Sequence, residues 1–90
     1  MKEARRKHSE RCRNITIEVL ERKEGNEIEY AELIRIVDAS VPRTVSRHSL
    51  TKFLRPLFDL GELSKETRTI DSREVLFIKK ETPHIVSGNL

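Results

Sequence analysis

Arg47, Thr51 and Arg55 recur at intervals of four residues, and His48 and Lys52 repeat the interval one position on. On an α-helix those spacings line up two adjoining rows on one face. No acidic residue interrupts the stretch from Arg43 to Arg55. The rows therefore present guanidinium, ammonium, imidazole and hydroxyl donors, a chemistry suited to the acceptor oxygens of a polyanion. Arg43, Thr44 and Ser46 extend the donor set upstream. Lys65, Arg68 and Arg73 form a second basic group, diluted by Glu66 and Asp71, and Arg5, Arg6, Lys7, Arg11 and Arg13 form a third.

Other chemistries find little support. There is no glycine-rich phosphate loop, no Ser/His/Asp set in a recognisable context and no pair of carboxylates placed across a cleft, so no enzymatic activity is expected. His48 beside Ser46 and Ser49 reads as a helix start. Cys12 is the single cysteine, with His8 four residues before it. Two ligands do not make a metal site, and no cofactor, metal or small-molecule substrate is expected. Cys12 reads as a small buried hydrophobe, or alternatively as a contact or disulfide at a dimer axis.

The 90 residues carry a net charge of +3, unevenly spread. Residues 1–14 hold six Lys/Arg against two Glu, and residues 15–34 hold two against six. Residues 35–60 return to five Lys/Arg against two Asp. This suits a basic face with an acidic rear, or simply a well-solvated surface. The length allows one domain, expected over residues 1–80, with residues 81–90 as a flexible tail. No apolar run reaches the ~20 residues of a membrane span, and the basic start lacks an apolar signal core. With one cysteine, a cytoplasmic location follows as the expectation. Gln and Trp are absent while Lys, Arg and Glu number thirty, a bias resembling proteins of thermophiles.

Periodicity supplies the elements. Cys12, Ile15, Thr16, Val19 and Leu20 share one helical face, with Ser9 as a cap or the basic run extending the helix backwards, and Gly25-Asn26 stopping it. Residues 27–30 alternate as a short strand. Tyr30, Leu33, Ile34 and Val37 predict a second helix, ended by residues 39–42. Leu50, Phe53, Leu54, Leu57 and Leu60 predict a third, capped by Ser46 or Thr44 and closed by Gly61. Pro56 within it is a kink or the first turn of a following helix. Residues 63–69 and 73–80 predict a hairpin turning at Ile70-Asp71-Ser72.

The order helix, strand, helix, turn, helix, hairpin, together with the stretch from Ser46 to the exit Leu60-Gly61-Glu62-Leu63, resembles the winged helix-turn-helix family. The resemblance covers about residues 9–80. Pro56 and a hairpin turn without glycine depart from the pattern. The resemblance implies a mostly α fold (α+β), a three-helix core with a small β-hairpin wing, and binding of double-stranded DNA. In that family the third helix enters the major groove, where Arg47, His48, Thr51, Lys52 and Arg55 would meet base edges. Arg43, Thr44 and Ser46 would meet phosphates, and Lys65, Arg68 and Arg73 would serve the wing. The basic start would be a DNA-touching arm or a solvated helix end. The implied function is a small, dimeric, sequence-specific transcriptional regulator with no membrane partner. The alternative is a winged-helix module that docks proteins through the acidic segment Glu18–Glu32. A homodimer is expected through the first helix, where Ile17 points off the apolar face, and through Ile85, Val86 and Leu90.

Overall fold

Helix α1 (Lys2–Arg22) begins well before Ser9. The computed structural model describes residues 2–81, with side chains from residue 6 onward. Ser9 does not cap the helix: its hydroxyl donates to the Arg6 carbonyl at 3.0 Å, within an already formed turn. Cys12, Thr16 and Leu20, four apart, are fully buried. Thr16 enters the core without an orphaned hydroxyl, because it donates to the Cys12 carbonyl at 2.8 Å. Gly25 (φ 76) and Asn26 (φ 54) turn the chain left-handed after the helix.

Strand β1 (Glu27–Glu29) buries only Ile28. It leads directly into α2 (Tyr30–Ser40), which buries Tyr30, Leu33 and Val37. The connection to α3 is anchored by Val41 and Val45, both in the core. The Val45 amide donates to Asp38 Oδ1 at 2.8 Å, so the last turn of α2 holds the loop that leads into α3.

Helix α3 spans Arg47–Asp59. Ser46 caps it by accepting the Ser49 amide at 3.1 Å, which decides between the two candidate caps. The helix runs through Pro56 in one piece, and no second helix begins there. Pro56 stands in the last turn on the exposed side. The end is a Schellman closure: Gly61 (φ 78) donates to the Phe58 carbonyl at 3.1 Å and Glu62 to that of Leu57 at 2.9 Å. Leu60 falls at this cap, outside the regular helix, and is 71% exposed rather than part of the buried stripe.

Strands β2 (Leu63–Ile70) and β3 (Arg73–Lys80) form the hairpin, joined by Asp71-Ser72. Both turn residues have positive φ, 51° and 66°, so a two-residue turn forms without glycine. The antiparallel sheet has the order β1-β3-β2, with Ile28 opposite Ile78. The described residues thus form a small α+β domain, three α-helices closed by a three-stranded antiparallel sheet. Ile17 is half-buried against the core, which accounts for the side chain expected to need a partner subunit. The expected tail and its Ile85, Val86 and Leu90 lie outside the described residues. Among the described residues no helix is long and apolar enough to cross a membrane.

Candidate functional site

Helix α3 sorts its residues as the periodicity requires. Leu50 and Leu54 are fully buried, Phe53 and Leu57 half-buried, and Arg47, His48, Thr51, Lys52 and Arg55 exposed. His48, Thr51, Lys52 and Arg55 line one groove along the outer face. Arg43 and Thr44 are exposed in the connection just before the helix. Ser46 is occupied by the cap, and its own proton goes to Ser49 Oγ at 3.1 Å.

Two α3 residues are held from beneath by α2. The Arg47 guanidinium lies 5.1 Å from the centre of the Tyr30 ring, within cation–π range. Thr51 donates to the Arg47 carbonyl at 2.8 Å, so the 2.7 Å contact between Tyr30 and Thr51 hydroxyls has Tyr30 as donor. Burial pushes the Tyr30 phenol pKa up, against smaller lowering effects of the Thr51 bond and the Arg47 charge. Tyr30 reads in the sequence as one more apolar position on α2. The signal for its role is chemical: an aromatic with a hydroxyl on a buried face needs a partner for that hydroxyl.

The hairpin residues do not act as one group. Side chains alternate across a strand, so Lys65 and Arg68, an odd number of positions apart, leave β2 on opposite faces. Lys65 faces α3, with its ammonium 5.2 Å from the Phe58 ring. Arg68 lies on the outer face, 4.3 Å above the Phe77 ring. Its guanidinium donates to both Glu27 oxygens at 2.8 and 2.6 Å and to Glu66 at 2.9 and 3.2 Å. These bonds hold the Glu27 and Glu66 carboxyls below their ordinary pKa and raise that of Arg68. Arg68 is therefore committed to tying β1 to β2 across β3. Arg73, beyond the turn, lines a cleft with Arg47, Glu29 and Glu74, which brings the hairpin to the start of α3.

Ion pairing separates the basic residues into two populations. Arg22, Lys23, Arg68 and Lys80 have carboxylates within 4.0 Å. Among the described residues, Arg43, Arg47, Lys52, Arg55, Lys65 and Arg73 have none, and neither do Arg6, Lys7, Arg11, Arg13, Arg35 and Lys79. No three His, Cys, Asp or Glu of the described residues gather as a metal site. Cys12 is fully buried in the core, and burial raises its thiol pKa. Compared with known protein families and with curated protein sequences, the chain matches none.

Proposed function

We propose that the chain is a winged helix-turn-helix protein that binds double-stranded DNA, with α2 and α3 as the helix pair and the β2–β3 hairpin as the wing. The observation that carries this reading is the unpaired basic face of α3: Arg47, Lys52 and Arg55, exposed and without a described carboxylate partner. Cations kept out of ion pairs on one rigid helix favour a polyanionic partner. In this reading phosphates at Arg43 and Thr44 set affinity, while Arg47, His48, Lys52 and Arg55 select sequence at base edges. Thr51 donates its hydroxyl hydrogen bond to the helix backbone and so serves as an acceptor toward the duplex. Lys65 and Arg73 are the wing contacts, and Arg68 holds the sheet that carries them. The biological role that follows is regulation of transcription by occupancy, as a homodimer on a two-fold site.

Anisotropy titration of a labelled random duplex at two salt concentrations tests the proposal. Binding that weakens steeply with salt, and weakens further in Arg55→Ala, is the expected result. No binding at low salt would overturn it and leave protein docking through the acidic segment as the reading to pursue.

A further inference from the structure

The first helix contributes a site of its own. Lys7, His8 and Arg11 of α1, with Pro42 and Arg43 of the α2–α3 connection, line one cleft of about 190 Å³. Three of the five lining residues are cations, and none is acidic. Among the described residues, no carboxylate stands within 4.0 Å of Lys7, Arg11 or Arg43. The neighbouring groove on α1 differs: there Lys7 and Arg11 are joined by Glu10 and Glu18. Among the described residues, the side facing the connection carries three cations and no acid. Like charges gathered in a concave site repel one another, and an anion entering it relieves that repulsion.

The cleft is also braced. His8 meets the Phe53 ring of α3 edge-on, with centroids 5.5 Å apart. One turn further along α1, Arg13 donates to the Phe53 carbonyl at 3.3 Å. These contacts seat the basic half of α1 against α3 as a helix, rather than as an extended arm. The connection side is set by Val41 and Val45 in the core and by the Val45–Asp38 bond.

We propose that this cleft is a phosphate-binding site, which clamps a phosphodiester of the duplex beside the segment that α3 reads. The inference rests on the DNA-binding reading above and adds α1 to the contact surface. Lys7 and Arg11 supply charge without sequence information, and Arg43 is shared between the cleft and the start of α3.

The test is the salt dependence of duplex binding by Lys7→Gln, Arg11→Gln and, as a control of equal charge change, Arg22→Gln, each checked by thermal melting. Arg22 is exposed and paired with Glu18 at the far end of α1. Each cleft variant should weaken binding alike on every duplex sequence and flatten the slope of log affinity against log salt by about one. Arg22→Gln should keep the wild-type slope. Wild-type slopes in both cleft variants, with Arg55→Ala still weakening binding, would overturn the clamp and leave the DNA-binding reading standing. A cleft variant no different from Arg22→Gln would also overturn it. No duplex binding by the wild type would remove both.

Discussion

The guanidinium of Arg47, the first residue of α3, rests on the face of Tyr30, the first residue of α2, at 5.1 Å from the ring centre. Two helices are thereby coupled at the first residue of the exposed basic face of α3. Tyr30→Phe keeps the ring under Arg47 but removes the bond to Thr51. Its expected cost is about 0.5–1.5 kcal/mol of stability, because exposed Thr51 can turn to water. Duplex affinity should change far less than in Arg47→Ala, where loss of a bidentate guanine contact costs about 1–3 kcal/mol on the preferred site. Urea melts and anisotropy on preferred and random duplexes check the two quantities separately. Equal losses for Arg47→Ala on every sequence would mark a phosphate contact instead.

Acid should act on the sheet through Arg68. Its two carboxylate partners have lowered pKa values in the folded state. Folding therefore favours their deprotonated forms, and the stability they contribute is present above the ordinary carboxyl value of 4.5. That stability is lost as pH falls through the lower folded values. Arg68, with its pKa raised, stays charged throughout this window. Thermal melting between pH 7 and pH 3 should show a steeper acid loss in the wild type than in Arg68→Met. Parallel curves would exclude these carboxylates as the acid-sensitive element.

What was legible in the sequence follows from which interactions are local. Helix faces at 3.6-residue spacing and strands bounded by turn residues appear in the order of residues, so all three helices and three strands fall close to their expected positions. The start of α1 was less legible because Ser9 can serve equally as a cap or bond back within a helix. Leu60 kept the helical period, yet the chain had already turned into its cap. Arg68 shows the larger limit. Its partner Glu66, two residues before it on the same strand face, can be read from the chain, but Glu27 is 41 residues away and cannot. The gathering of Arg43 with Lys7 and Arg11 depends likewise on how α1 packs on the connection.

The hairpin turn carries removable strain. Asp71 and Ser72 both occupy the left-handed region, which costs a residue with a Cβ roughly 1–2 kcal/mol. Glycine relieves that cost but gains freedom in the unfolded chain, so Ser72→Gly should stabilise the domain by a net of about 0.5–1 kcal/mol. Denaturant midpoints compare the two proteins. A destabilised Ser72→Gly would mean that the serine side chain supports the turn.

Association is the last test, and burial of Cys12 sharpens it. On the proposed DNA-binding reading, one α3 would read only a few base pairs, so a distinctive site calls for two copies on a two-fold duplex. An intersubunit disulfide requires an accessible thiolate. Cys12 has neither property in the folded domain, being 0% exposed with its thiol pKa raised. The pairing should therefore be non-covalent. A thiol reagent should label Cys12 only as the domain opens, and rapidly in denaturant. A non-reducing gel should show a single-chain band for the wild type and for Cys12→Ser. Sedimentation with a duplex carrying two selected half-sites should give two copies per duplex. One copy on such a duplex would remove the dimer while leaving the basic face of α3 to bind as a monomer. Rapid labelling of the native protein would instead show that α1 leaves the core readily, and would return Cys12 to consideration as a contact between subunits.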